Sequence, residues 1–117
     1  MYFQTSAATP SGLRHEDVPL LPNGNRPERM AETGSLASQA IRNYNRAYLR
    51  DLLEKYPQVT GIRPDWPEYP CYKLDEAFQD FGPHVKTWAL KNGFDFDTIR
   101  NEVEAFYDYL HGHLTNK

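Results

Sequence analysis

Prolines recur every third residue at 64, 67 and 70 in the run Gly61-Ile62-Arg63-Pro64-Asp65-Trp66-Pro67-Glu68-Tyr69-Pro70, and no helix passes through such a run. Each ring fixes its own φ, and each residue ahead of a proline, here Arg63, Trp66 and Tyr69, is pushed out of the helical region. The segment must therefore be extended or turning, and the rest of the chain has to fold on either side of it. It also sets two carboxylates, Asp65 and Glu68, and two aromatic rings on a stiff support.

Upstream, Tyr2-Phe3-Gln4-Thr5 reads as a strand. An irregular stretch follows up to residue 34, punctuated by Pro10, Gly12, Pro19, Pro22, Gly24 and Pro27. A connection well beyond about 12–15 residues is uncommon in a compact domain and is often functional, so it is expected to be a substrate-facing loop. From Ser35 to Tyr56 the apolar residues Leu36, Ala40, Ile41, Tyr44, Tyr48, Leu52 and Tyr56 recur at helical spacing. Ser35 is placed as the N-cap and Pro57 as the stop. Val59–Ile62 reads as a short strand feeding the proline run.

Downstream, Leu74–Phe81 and Pro83–Lys91 read as two short helices divided by Gly82. Pro83 suits a first turn and Gly93 a C-terminal cap. A last helix is expected from Asp95 or Asp97 to Gly112, burying Ile99, Val103, Phe106, Tyr107 and Leu110. The chain thus divides into 1–34 (strand and long loop), 35–57 (helix), 58–73 (strand and acidic, proline-rich loop) and 74–117 (helices).

A hydrophobic content of 39% in 117 residues, with a mean hydropathy of −0.76, is lean for a domain that must close its own core. The 13 basic residues are scattered among 16 acidic ones for a net charge of −3. No clustered basic face exists to neutralise phosphates, which argues against a nucleic-acid partner. The lone Cys71 cannot form an intramolecular disulfide or a multi-cysteine zinc site. His84, His111 and His113 do not fall at ligand spacing with a carboxylate cluster, and His15-Glu16-Asp17 is no stronger, so no metal and no cofactor are expected. No stretch approaches the roughly 18 apolar residues of a membrane span and no leader pattern opens the chain, so a cytoplasmic location is the default expectation.

The run from Tyr56 to Asp65, a helix ending in Tyr-Pro followed by Val-x-Gly-Ile-Arg-x-Asp-Trp, resembles the fourth-strand region of bacterial glycoside-hydrolase-like (β/α)8 barrels, in which that strand delivers an acidic residue to the catalytic face. The resemblance implies an α/β fold, mostly helical, with two short parallel strands. Tyr2–Ser6 would be the end of the third strand, Ser35–Tyr56 the third helix and Val59–Asp65 the fourth strand. A complete barrel runs to about 250 residues, so the chain would be an incomplete piece of one. It would derive from a hydrolase that acts on or binds carbohydrate, and the piece itself is expected not to be catalytic.

Along an extended strand Arg63 and Asp65 project to one face. An arginine beneath it would keep Asp65 ionised, which suits a nucleophile or a stabiliser of an oxocarbenium-like centre. Glu68, flanked by Trp66 and Tyr69, has the surroundings of a general acid. Trp66, Tyr69 and Tyr72 would stack on sugar rings, whose C–H faces suit aromatic surfaces. The bland alternatives are an Asp65–Arg63 ion pair capping the strand, a solvated Glu68 and tyrosines that simply pack. The rival to the whole scheme is a small helical protein-interaction module without catalysis, its two long helices packed together and the proline run a rigid connector.

Overall fold

A computed structural model describes residues 2–5, 12–28, 33–64 and 73–115. Two strands, β1 (Tyr2–Thr5) and β2 (Gly61–Pro64), pair in parallel with Tyr2 opposite Gly61 and Thr5 opposite Pro64. Between them lies α1 (Gln39–Lys55); after β2 come α2 (Pro83–Lys91) and α3 (Phe96–Thr115). Parallel neighbours cannot be joined by a hairpin and need a long crossover. Here the crossover is the irregular stretch and α1. The fold is mostly helical, and among the described residues its sheet has these two strands alone.

The irregular stretch, expected to be a substrate-facing loop, supplies most of the apolar core through its described residues. Leu13, Val18, Leu20 and Ile41 form the apolar cluster, and Pro19 and Leu21 are buried beside them. The reason is local. Prolines and a single 3-10 turn at His15–Asp17 direct successive apolar side chains inward without a regular ladder, and the backbone groups so buried are paired individually. Leu21 N–H reaches the Asn25 carbonyl, Ser35 N–H the Asp17 carbonyl and Phe81 N–H the Leu20 carbonyl, all within 3.0 Å.

The helix starting at Ser35 begins instead at Gln39, with Ser38 as N-cap; its Oγ accepts Ile41 N–H at 3.3 Å. Ser35 is buried one turn earlier and serves a different carboxylate, described below. Of the apolar face expected for α1, only Ile41 is buried. Leu36, Ala40, Tyr44, Tyr48 and Tyr56 are exposed and Leu52 is half-buried. The periodicity is genuine, but no described element covers that face. The helix ends before Pro57, as that proline requires.

The expected helix over Leu74–Phe81 is one 3-10 turn at Asp75–Ala77. Its continuation is broken by Asp80, whose side chain is turned to the loop. By contrast α2 begins at Pro83 and ends as anticipated. Gly93 takes φ +82° and donates to Leu90, while Phe94 donates to Ala89, the paired bonds of a Schellman cap. Asp95 then caps α3, accepting from Thr98 N–H at 3.1 Å and from Thr98 Oγ1 at 2.8 Å.

α3 runs on through Gly112. Phe96 is its buried residue, with its ring centroid 5.7 Å from Phe81. Ile99 and Phe106, expected in the core, are 40% and 51% exposed. The radius of gyration, 17.0 Å, exceeds the roughly 13 Å of a compact domain of this length. Among the described residues no helix is long and apolar enough to cross a membrane.

Gly34 sits where a Cβ would lie 2.8 Å from two carbons of Ile41, itself 2% exposed. Gly34→Ala is expected to cost about 1–3 kcal/mol, the usual range for overpacking a filled core. Urea unfolding of the two proteins measures it, and equal midpoints would show that the loop does not close on α1.

Candidate functional site

The connections that follow β1 and β2 are joined to each other by two carboxylates. Asp17, in the 3-10 turn after β1, is 4% exposed. Its Oδ1 accepts the Ser38 hydroxyl at 2.7 Å and His84 Nε2 at 2.8 Å, and its Oδ2 accepts Arg14 Nε at 2.8 Å. A carboxylate can only accept, so His84 carries its proton on Nε2. Ser38 has two roles, since the hydroxyl it donates to Asp17 belongs to the oxygen that caps α1.

Asp80, on the segment after β2, works in the other direction. Its Oδ1 accepts Leu20 N–H at 3.0 Å and Gly82 N–H at 2.7 Å, and its Oδ2 takes the hydroxyl of Ser35. The first loop therefore sends a carboxylate to the second segment and receives one from it. Burial pushes the Asp17 carboxyl up, but hydrogen bonds from Ser38, Arg14 and His84, with the charge of Arg14, hold it below its ordinary value of 3.8.

Glu16, Asp17 and His84 bring three metal-ligand donor atoms within 4.8 Å of one another. Arg14 already spans the two carboxylates, with Nη1 2.8 Å from Glu16 and Nε 2.8 Å from Asp17. Its charge and donors satisfy the group from within, so the cluster is arranged as a structural hub. Read separately in the sequence, His84 and His15-Glu16-Asp17 show no ligand spacing, and only the fold brings them together. Asp17 and His84 lie 67 residues apart, Leu20 and Asp80 lie 60 apart, and polar pairs at such separations leave no periodic trace.

Of the residues expected to form the site, Arg63 is the one described. It lies in β2 opposite Gln4 with an exposed side chain, because no further described strand closes over it. Asp65, Trp66, Glu68, Tyr69 and Tyr72 lie outside the described residues. By order along the chain Asp65 follows Pro64, the last residue of β2. Compared with protein-family models, with curated protein sequences and with solved structures, the chain gives no match.

Asp17→Asn keeps the volume but removes the charge and turns a donor toward Arg14. It is expected to destabilise the protein by about 2–3 kcal/mol at neutral pH, as when one member of a buried charged network is lost. Because the folded-state pKa of Asp17 is depressed, its contribution is complete above the unfolded-state value near 3.8 and is lost as pH falls through the lower folded-state value. Denaturation of both proteins between pH 7 and 2.5 should therefore show the gap closing below about pH 3.8. A gap independent of pH would mean that the charge of Asp17 does not contribute.

Proposed function

We propose that this chain is a β/α segment of a carbohydrate-handling barrel, with its glycan-contacting residues just beyond the carboxyl end of β2. The observation that carries this is the parallel, in-register pairing of β1 and β2 across a helical crossover. Both strands of such a pair end at one edge, and parallel α/β architectures gather their ligands there. The residue that follows β2 is Asp65, and the aromatic and acidic side chains of the proline run come directly after it.

In this scheme Asp65 is the ionised carboxylate that stabilises positive charge at the anomeric carbon and Glu68 is the proton donor. Trp66, Tyr69 and Tyr72 offer apolar faces to sugar rings, and Arg63 supports Asp65. The uncovered helices favour a segment over a self-contained module. α1 buries Ile41 alone, and α3 leaves Ile99, Phe106, Tyr109 and Leu114 exposed. Those surfaces are what outer helices of a barrel would turn toward neighbouring units.

The test is intrinsic fluorescence of the full chain titrated with neutral oligosaccharides of several linkages. Trp66 and Trp88 are its two tryptophans, and Trp88, in α2, is stacked on Phe94 at 5.8 Å. The expected result is a saturable emission change that disappears in Trp66→Phe and persists in Trp88→Phe. No response to any glycan, or a response indifferent to Trp66→Phe, would overturn the proposal.

A further inference from the structure

Away from the stripe that contains Ile41, α1 carries a shallow, mainly apolar hollow of about 440 Å³ lined by Arg46, Leu49, Arg50, Leu53 and Glu54. Spacings of three and four residues set the two leucines side by side, with the two arginines along their flank. A second open face lies on α3. There Ile99, Glu102, Phe106 and Tyr109 follow one another at the same spacing, and all four are exposed.

The two helices carry opposite charge. α1 has four basic and two acidic residues, and α3 has one basic and four acidic. Part of this charge is engaged already: Lys55 pairs with Asp51, Arg42 donates to the Leu36 carbonyl, and Asp97 meets Lys86 and Arg100. Among the described residues no ion pair reaches Arg46 or Arg50 on α1, or Glu102, Glu104 or Asp108 on α3. Glu54 is the one acid of the α1 hollow and sits at its C-terminal edge.

A face of leucines flanked by arginines suits a face of aromatic rings interrupted by a carboxylate. Guanidinium groups pair with the acid and also lie favourably over aromatic rings. The chain itself carries the complement of each face, and within one molecule both faces stay exposed. A second copy is therefore the occupant that satisfies both.

We infer that α1 of one copy docks on α3 of another, with Leu49 and Leu53 against Phe106 and Tyr109, and Arg46 and Arg50 around Glu102. Because the two faces differ, the contact is head-to-tail, and copies either close on each other or extend. One helix on one helix lies at the small end of specific interfaces, so assembly is expected to be reversible, concentration-dependent and weakened by salt. The second copy covers surfaces that the carbohydrate reading turns toward neighbouring barrel units. Glycan binding beyond β2 uses neither face, so either proposal can fail alone.

The experiment is sedimentation velocity of the full chain from micromolar to millimolar concentration. At low salt the mass is expected to rise above that of the 13.6 kDa monomer and to return to it at high salt. A variant with both Arg46→Glu and Arg50→Glu, and a second with Glu102→Arg, are each expected to associate about tenfold or more weakly, because like charges then meet. All three positions are exposed, so circular dichroism should be unchanged in both. Mixing the two variants is expected to restore association, since the reversed α1 of one then meets the reversed α3 of the other. A misfolded variant cannot give that rescue.

A monomer at every concentration overturns the inference, as does unchanged association in both variants. Loss in the arginine variant with full association in Glu102→Arg shows α1 pairing with itself and likewise overturns it. A mixture that associates no more strongly than its components does the same.

Discussion

Two carboxylates hold this molecule together, and each is positioned by donors from a distant part of the chain. Asp17 is buried where an unmatched charge would cost several kcal/mol, and it is ionised because Ser38, His84 and Arg14 converge on it. Asp80 returns the arrangement by taking the backbone of Leu20 and the hydroxyl of Ser35. With few apolar residues to bury, the chain relies on this exchange to fix the long loop against the start of α2. The packing of Leu13, Val18, Leu20 and Ile41 depends on it, since without those bonds the prolines alone would leave the loop free to take other courses.

The same dependence explains the uneven burial. Where the two carboxylates act, residues 17–22 are buried, together with Gly34, Ser35, Ser38 and Ile41. Beyond their reach, α1 and α3 carry helical apolar stripes that remain open. The parallel strand pair points the same way, since two parallel strands are seldom a finished sheet. Among the described residues, these faces and the parallel pair are what the proposed carbohydrate-handling segment is argued from.

Much of the fold could be read in advance. The stop at Pro57, the start at Pro83, the cap at Gly93 and the aspartate opening α3 each depend on one residue and its immediate neighbours, and each is where the spacing predicts. The errors have a common source. Ser35 is expected to cap α1, but Asp80 takes its hydroxyl, and Ser38, held by Asp17, caps the helix instead. Leu74–Phe81 has helical spacing, but Asp80 serves the loop and leaves one turn.

By itself, then, the sequence determined where helices must stop, which turns require glycine or proline, that the prolines at 64, 67 and 70 forbid a helix, and that two strands lie on either side of a helical crossover. These follow from φ restrictions and periodicity, which act over a few residues. The tertiary structure alone decided that the irregular stretch is the core, which serine caps α1, and which carboxylates face inward. Those outcomes rest on hydrogen bonds and burial between residues 21 to 67 apart, and the energy of a buried charge depends on whatever the rest of the chain places around it.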